Sequence, residues 1–316
     1  MKVGIIGSGM VGATSAYAIM LRKAASDIVL IDKNHKRAEA EAQDIQHAVP
    51  FAHATDVFAG TYDDLADAKI IIIAAGANQK PGETRLMLMK RNTSILRDII
   101  SNVVKVNANP LFLIATNPVD IITHISLSIA SEYGIPSSKI IGSGTTLDTA
   151  RFRSLLGNYV GVDPQNIHAY VLGEHGDSEV LAWSNIDIGG VSLVDYTAYR
   201  GITFDETVKQ SIEASVRNAA YKIIEGKGST YYGIGAAIAK LVDVINRDNR
   251  AVLTVSTLKS DVEGIKDITL SLPHLIGGEG DLGVLPIRLN EQEKKLLKKS
   301  ASLIKEKIDE YENGQQ

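Results

Sequence analysis

Short apolar runs alternate with longer amphipathic stretches through the first half of the chain. The runs are four or five residues long and strongly apolar, as strands buried inside a parallel sheet are. They cover residues 3–6, 28–31, 55–59, 70–74 and 112–115. Helical patterns lie between or after them at residues 13–22, 36–49, 84–106 and 119–131, and a sixth short strand is predicted at 139–141. This alternation predicts an α/β fold with a doubly wound parallel sheet.

The rhythm changes after about residue 145. A charged helical pattern at 147–159 is followed by a predicted strand at 166–172 and by long helical patterns at 203–224 and 230–246. Two apolar runs, at 251–258 and 268–272, are predicted to pair antiparallel, and a last amphipathic helix is expected at 291–311. We therefore expect two domains, a dinucleotide-binding domain at 1–144 and an α+β substrate domain at 145–316.

The first predicted turn carries the motif of a dinucleotide-binding site. Gly7, Gly9 and Gly12 form a Gly-x-Gly-x-x-Gly sequence between a strand and a helix, and Asp32 ends the next strand about twenty residues later. Gly7 permits the tight turn, Gly9 lets the backbone approach a pyrophosphate, and Gly12 allows close helix–strand packing. The helix N-terminus favours anionic phosphate. Asp32 would bind the ribose hydroxyls and repel a 2′-phosphate, so a Rossmann domain specific for NAD is predicted.

Composition excludes several classes of function. The 316 residues include 45% hydrophobic and 22% charged residues with a net charge of −4, which gives no support to a nucleic-acid or anionic-membrane partner. The absence of cysteine excludes disulfides, cysteine-ligated zinc and thiol catalysis. No apolar run has the length of a membrane span, and the fingerprint begins at once, so we expect neither a membrane anchor nor a signal peptide and a cytoplasmic location.

One of the seven histidines has the setting of a catalytic residue. His175 lies in a glycine-flanked loop, Gly173-Glu174-His175-Gly176-Asp177, directly after a predicted strand. Glycines on both sides suggest backbone exposed to a cleft. Structural hydrogen bonding or surface exposure is the better interpretation for five of the other histidines: His35, His47, His53, His124 and His274.

Two further places offer charged groups. Asp148 and Arg151 are three residues apart on a predicted helix and share a face, although a surface ion pair is the simpler interpretation. Arg153 lies about 200° around that helix from Arg151, so it cannot serve the same pocket. A Gly- and Pro-containing loop follows the fourth predicted strand, and Arg85 at its end could swing into a site as the loop closes.

Together these motifs resemble the lactate/malate dehydrogenase family, and within it bacterial L-lactate dehydrogenases. The similarity extends over essentially the whole chain. It is carried by GSGMVGATSAY, AGANQKPGETRL, ATNPVD, GSGTTLDTARFR and GEHGDSE.

The resemblance implies a catalytic role for four side chains. His175 would exchange a proton with the substrate oxygen, and Asp148 would hold and stabilise its imidazolium form. Arg151 would bind the substrate carboxylate through two parallel hydrogen bonds. Arg85 would polarise the carbonyl in a water-poor site.

The resemblance also implies the remaining contacts. Asn117 would contact substrate and nicotinamide ribose, Thr230 would line the substrate pocket, and Ile234 would pack against the nicotinamide. The other cofactor-binding positions that it implies, besides the fingerprint residues, are Met10, Val11, Ala75 and Gly76. The substrates would be pyruvate and L-lactate. No metal site is predicted.

Gln79 decides between the two substrates of the family. Similar malate dehydrogenases have an arginine at this position, which pairs with the second carboxylate of oxaloacetate. Glutamine would leave that carboxylate unpaired, at a cost of several kcal/mol. Lys80 is a neighbouring cation that could preserve some oxaloacetate activity, and Met87 stands where relatives commonly have an acidic residue. A malate dehydrogenase, or an enzyme that uses both substrates, is therefore the alternative; a catalytically silent NAD sensor would have no use for the four catalytic side chains.

Arg153 and His168 match an effector site of the family. Allosteric bacterial members have an arginine and a histidine at these places, where they bind fructose 1,6-bisphosphate between two subunits. A two-fold axis would double each cation to suit two phosphates. The resemblance thus implies a homotetramer activated by this sugar bisphosphate. The alternative is a helix arginine and a strand histidine that never meet.

Overall fold

The fold is seen in a computed structural model. It describes residues 1–77, 82 and 85–313, with the backbone alone for Arg85 and Leu86.

Six parallel strands from the first half of the chain form the centre of a nine-stranded sheet. Their order is β6-β5-β4-β1-β2-β3, so the direction of winding reverses between β1 and β4. They are β1 (Lys2–Ile6), β2 (Asp27–Ile31), β3 (Asp56–Ala59), β4 (Ile70–Ile73), β5 (Leu111–Ile114) and β6 (Ile140–Gly142). In such sheets a ligand binds at the carboxyl ends of the strands where the winding reverses.

Helices cover both faces of this sheet, as the apolar runs require. The helices of the first half are α1 (Met10–Leu21), α2 (His35–Ala48), α3 (Arg85–Val106) and α4 (Val119–Ser131). One buried cluster joins one face of the sheet to α1 and α2, and another joins the opposite face to α3 and α4. The predicted doubly wound architecture is therefore confirmed.

The second half mixes helices with short and long antiparallel strands. Its elements are α5 (Thr146–Val160), β7 (Ile167–His168), β8 (Val171–Leu172), β9 (Val180–Leu181), β10 (Asp187–Ile188), β11 (Val191–Ser192), α6 (Leu193–Arg200), α7 (Glu206–Arg217), α8 (Ala219–Lys227), α9 (Tyr232–Arg247), β12 (Ala251–Val262), β13 (Ile265–Gly277), β14 (Gly280–Val284) and α10 (Glu291–Asn313). A third buried cluster packs α5 and α7 against the short strands. The predicted α+β character is confirmed.

The three late strands extend the central sheet rather than forming a sheet of their own. β12 pairs antiparallel with β6 through Ser256 and Gly142, and β13 and β14 follow at the edge. The hairpin is longer than the two predicted apolar runs. Near the turn it adds a ribbon that carries exposed charged residues, and at the other end β13 continues through the mostly buried residues 273–277. The sheet is thus continuous between the two halves of the chain.

Two predicted elements of the second half are divided. The helix expected at 203–224 is two helices, because Asn218 leaves the α7 geometry and its side chain donates a hydrogen bond to the Ala214 carbonyl at 2.8 Å. The strand expected at 166–172 is two short strands, β7 and β8, that belong to different small sheets. In the described residues, no helix combines the length and the apolarity needed to cross a membrane.

A glycine allows α9 to lie directly against α1. A Cβ atom at Gly235 would stand 2.7 Å from Thr14 Cγ2 and 3.1 Å from the Thr14 carbonyl carbon and oxygen. This close approach places the C-terminal half against the helix that begins at the glycine fingerprint.

We expect Gly235→Ala to destabilise the protein. The added methyl group meets backbone as well as side-chain atoms, and overpacking of this kind costs about 1–3 kcal/mol. Thermal unfolding would show a lower melting temperature. Gly226→Ala is the matched control, because a Cβ atom at that helical position meets none of the described residues within 4 Å and alanine favours helix. Equal melting temperatures for the two variants would contradict tight α1–α9 packing.

Candidate active site

The turn between β1 and α1 forms a cradle with room for a ligand. Gly7 has a φ of +102°, and a Cβ atom there would stand 2.5 Å from the Ala75 nitrogen. A Cβ atom at Gly12 would stand 1.9 Å from the Gly7 carbonyl oxygen, so no other residue fits there. Among the described residues, none lies within 4 Å of a Cβ atom built at Gly9, and none caps the N-terminus of α1 with its side chain. Free N–H groups beside open space suit a pyrophosphate.

Asp32 lies beside this cradle at the end of β2. Its Oδ2 accepts a hydrogen bond from the Ser8 backbone N–H at 2.8 Å, and its Oδ1 accepts one from the Asn34 N–H at 2.9 Å. The Ser8 hydroxyl is buried and makes no hydrogen bond within the described part of the chain. The carboxylate is therefore fixed next to the glycine turn, where NAD requires an acidic residue. The residues present fit this cofactor.

The remaining cofactor candidates lie around the same crevice. Met10 is exposed and Val11 half-buried in the first turn of α1, while Ala75 and Gly76 follow β4. The Thr116 hydroxyl donates to the Ala75 carbonyl at 2.7 Å and thereby joins the carboxyl ends of β4 and β5.

Three more candidates lie on other elements. Asn117 is exposed directly after β5, and Ile234 is half-buried on α9 and packs against the cluster that contains α1. Thr230 lies in the segment that precedes α9. Of the three, Asn117 is the one that follows a parallel strand at its carboxyl end.

The strongest polar contacts of the site centre on Asp148. Its Oδ2 lies 2.6 Å from His175 Nδ1, and its Oδ1 accepts a hydrogen bond from Arg151 Nη1 at 2.7 Å. Asp148 is 2% exposed, whereas the His175 side chain is 27% exposed and open to a ligand. The carboxylate of the pair with Arg151 is therefore buried and its guanidinium is half-buried, so this is not the surface ion pair that the simpler interpretation favours.

This geometry keeps His175 charged. Burial favours neutral imidazole, but the hydrogen bond and charge of Asp148, with the charges of Asp120 and Glu179, raise the pKa of His175 to about 9. Burial also opposes the charge of Asp148, yet its contacts with His175 and Arg151 hold the pKa of that carboxyl below its ordinary value. At neutral pH the pair is an imidazolium and a carboxylate, and it loses its proton as the pH rises through about 9.

The loop that carries His175 is anchored at several points. Gly173 has a φ of +84° and exchanges two backbone hydrogen bonds with Ser271 of β13. The Glu174 N–H donates to Ser300 Oγ at 2.9 Å, and the Glu174 carboxylate pairs with Lys307 of α10 at 2.6 Å. These contacts give the imidazole a fixed support.

Two buried acids near His175 were not identified from the sequence. Asp120 in α4 accepts a hydrogen bond from the His175 backbone N–H at 2.8 Å. Glu179 is 4% exposed; burial and then the charge of Asp148 raise the pKa of its carboxyl to about 8. Both lie within motifs that were already singled out, ATNPVD and GEHGDSE, but their effect on His175 depends on the folded chain.

Comparisons with known proteins identify the family of the chain. Residues 1–142 match the model of the lactate/malate dehydrogenase NAD binding domain, and residues 145–315 match that of the alpha/beta C-terminal domain of the same family. An L-lactate dehydrogenase of Geotalea daltonii is 51% identical over 98% of this chain and 99% of its own length. The L-lactate dehydrogenase of Thermus aquaticus is 48% identical over 96% of this chain and 97% of its own. The chain belongs to the lactate/malate dehydrogenase family.

Solved structures of the family have the same fold. A lactate dehydrogenase from a Medee basin deep-sea metagenome library superposes with a TM-score of 0.94 at 36% identity, over 98% of each chain. The minor L-lactate dehydrogenase of Enterococcus mundtii, in a ligand-bound form, gives 0.92 at 39% identity over 98% of this chain and 97% of that one. The N-terminal half is thus an NAD-binding domain.

Some residues that the family resemblance implies are not described. Gln79 and Lys80 lie outside the described residues. Arg85 begins α3, but only its backbone is described. Met87, the departure noted in the sequence, is 58% exposed in the first turn of that helix.

The two effector candidates of the family lie near one another in the fold. Arg153 Nε donates to the Ala169 carbonyl at 2.9 Å, and its guanidinium lies 5.3 Å from the centre of the Tyr170 ring. His168, the residue before Ala169, is exposed on β7. No group of three histidines, aspartates or glutamates suited to a metal occurs among the described residues.

We expect Asp148→Asn to lower the pKa of His175 by about 1–3 units. Asp148 is the group that most strongly stabilises the protonated imidazole, and the substitution removes its charge. Titration of the histidine ring resonances by NMR measures this shift. Asp56→Asn is the control, since that exposed carboxylate is not among the groups that shift His175. A pKa that stays near 9 in Asp148→Asn would contradict the role of the pair.

Proposed function

We propose that this protein is an NAD-dependent L-lactate dehydrogenase that interconverts pyruvate and L-lactate. The observation that carries the proposal is the buried Asp148 carboxylate, which contacts both His175 at 2.6 Å and Arg151 at 2.7 Å. A proton donor and a carboxylate-binding cation are thereby held on one support. The proteins from Geotalea daltonii and Thermus aquaticus are L-lactate dehydrogenases, and this chain is similar to each of them over nearly the full length.

His175 would carry the proton of the reaction. Its Nδ1 is occupied by Asp148, and Nε2 makes no hydrogen bond within the described residues, so Nε2 is left to face a ligand. In pyruvate reduction this nitrogen gives its proton to the carbonyl oxygen, and in lactate oxidation it receives the hydroxyl proton. NADH, when bound, supplies the hydride to the carbonyl carbon. Asp148 stays ionised and stabilises the imidazolium before reduction.

Arg151 would fix the substrate. Its Nη1 donates to Asp148, and its other N–H groups, which donate to no described residue, would bind the substrate carboxylate in a planar, two-bond contact. Arg85 would polarise the carbonyl from the start of α3, and Asn117 and Thr230 would line the pocket. Holding both ends of a small 2-keto acid in this way aligns its carbonyl with the nicotinamide.

Gln79 supports pyruvate over oxaloacetate. A neutral amide cannot pair with a second carboxylate, and an unpaired charge in a closed site costs several kcal/mol. The methyl group of pyruvate has no such cost. Lys80, the adjacent cation, is the residue that could allow some oxaloacetate turnover.

We expect faster NADH oxidation with pyruvate than with oxaloacetate, and Gln79→Arg should shift the ratio of kcat/KM values towards oxaloacetate. Steady-state rates with each keto acid measure both effects. His175→Ala is the control for mechanism: it should bind NADH but lose turnover by at least about 100-fold. Equal or better turnover of oxaloacetate by the unaltered enzyme would overturn the assignment to lactate.

Activation by fructose 1,6-bisphosphate is the finer part of the proposal. Arg153 is half-buried against Ala169 and Tyr170, which directly follow the exposed His168 at the end of β7, so a guanidinium and an imidazole belong to the same part of the fold. Doubling these groups across a two-fold axis would suit two phosphates.

A homotetramer fits this arrangement, and exposed apolar residues such as Phe51 and Tyr221 are suited to contacts between subunits. A cytoplasmic location fits the cysteine-free composition.

We expect fructose 1,6-bisphosphate to lower the KM for pyruvate. Arg153→Gln should remove this response, because it removes a charged contact with phosphate. Turnover at saturating pyruvate should stay within about threefold, since Arg153 does not serve the substrate pocket. Rates with and without the sugar bisphosphate measure the response. Arg200→Gln, which removes an exposed arginine from the end of α6, is the matched control. A response that persists in Arg153→Gln would show that the effector binds elsewhere.

A further inference from the structure

A cavity of about 500 Å³ borders the loop that carries His175. That volume is within the range of sites that hold small organic ligands. Residues 174 and 176–180 form one wall, Arg217 of α7 and Tyr221 of α8 form the second, and α10 forms the third. Of the described residues that are assigned to substrate or NAD, none lines this cavity, so it is separate from the candidate active site.

Polar contacts hold the walls of the cavity together. Lys307 of α10 pairs with Glu174 at 2.6 Å, and the Tyr221 hydroxyl donates to Asp177 Oδ1 at 2.9 Å. Arg217 Nη2 donates to the backbone carbonyl of residue 179 at 3.2 Å. Each wall is thus linked to the His175 loop, and the cavity has a defined shape before any ligand binds.

The carboxyl group of Glu179 has no hydrogen-bond partner. Glu179 lines the cavity and is 4% exposed, and neither of its carboxyl oxygens hydrogen-bonds to a described residue. Burial and then the charge of Asp148 raise the pKa of this carboxyl to about 8. At neutral pH it is therefore mainly a neutral acid whose O–H has no acceptor. A buried donor without an acceptor is unfavourable, and an oxygen atom of a ligand would remove that cost.

The charges around the cavity favour a ligand with a single negative charge. Besides Glu179, three cations and two carboxylates line it: Arg217, Lys299, Lys307, Glu174 and Asp177. With Glu179 neutral, one net positive charge remains. Of the three cations, Lys299 is the one that makes no ion pair or hydrogen bond within the described part of the chain. Its ammonium group is thus available to a ligand.

Apolar side chains of the cavity suit the body of such a ligand. Val180 of β9 and Leu296 and Leu303 of α10 line it, and Leu296 is 43% exposed. Covering such side chains favours binding, because it removes apolar surface from water. The combination fits a carboxylate that is attached to a small apolar group, whereas a phosphate dianion would exceed the one net positive charge.

We propose that this cavity is a second ligand site, which takes a small monocarboxylic acid with a short apolar body. The ligand carboxylate would accept hydrogen bonds from Lys299 and from the protonated Glu179 carboxyl, and its apolar body would contact Leu296 and Leu303. The site goes beyond the proposed function, since it involves neither the substrate pocket nor the NAD crevice. Its occupant would nevertheless lie beside Glu179, one of the groups that act on His175.

Benzoate is a suitable probe, because it joins one carboxylate to an apolar ring and has no 2-keto group to reduce. Titration calorimetry at pH 7 should show saturable binding to the unaltered protein. Lys299→Gln should weaken this binding by at least about fivefold, because a charged contact is lost. Lys298→Gln is the matched control: Lys298 is exposed on the same helix but does not line the cavity, so the affinity should not change.

The pH dependence of benzoate binding tests the role of Glu179. The charged groups that act on its carboxyl are Asp148, His175, Arg217 and Arg151. Above about pH 8 Glu179 becomes an anion beside the ligand, so binding should weaken by up to about tenfold per pH unit. Glu179→Gln keeps a neutral donor that cannot ionise. It should bind benzoate at pH 7 within about threefold of the unaltered protein and should lose the weakening above pH 8.

The outcomes separate this site from the proposed function. Absence of saturable benzoate binding, or equal affinities in Lys299→Gln and Lys298→Gln, would overturn the site. Weakening above pH 8 that persists in Glu179→Gln would overturn the role of that carboxyl. Neither lysine belongs to the proposed active site, so the KM for pyruvate should be unchanged in both lysine variants. Failure of the unaltered protein to reduce pyruvate would overturn the proposed function alone, because benzoate binding is measured without turnover.

Discussion

A carboxylate that is almost completely removed from water is costly unless charged or hydrogen-bonding partners compensate it. Asp148 has such partners on both oxygens, His175 on one and Arg151 on the other. Removing one partner of a buried ion pair typically costs about 3–5 kcal/mol, because the remaining charge stays uncompensated. The position of α5 and that of the His175 loop are therefore bound to each other by electrostatics, and much of the surrounding structure serves to keep both in place.

That surrounding structure comes from widely separated parts of the chain. The His175 loop is held by Ser271 from β13, by Ser300 and Lys307 from α10, and by Asp120 from α4. Three acidic side chains, Asp148, Asp120 and Glu179, act on a single imidazole, which explains why its pKa is raised despite burial. The loop of the proton donor is held in place because β13, α10, α4 and α5 all contact it.

Sequence patterns predicted the elements whose signals are local. The apolar runs predicted the parallel strands, and the spacing from Gly7 to Asp32 predicted the cofactor crevice, because each signal lies within one strand–helix–strand unit. Asp120 and Glu179 were missed for the opposite reason: their effect on His175 arises only when α4 and the loop meet in the folded chain. The break at Asn218 was also missed, since a single side chain that bonds a nearby carbonyl leaves no trace in the hydrophobic pattern.

The roles given to individual side chains went beyond what patterns alone support. His175 stood out because of its flanking glycines, but its partner Asp148 was identified through the resemblance to the lactate/malate dehydrogenase family.

The continuous sheet has a further consequence for the cofactor half of the chain. Without β12, the outer edge of β6 would be an open strand. Without α9, an apolar surface of α1 would be uncovered. Open strand edges and uncovered apolar faces promote aggregation. The NAD-binding half therefore depends on the late hairpin to pair its edge strand and on α9 to cover its first helix. A transfer of this half to another protein would have to include both elements.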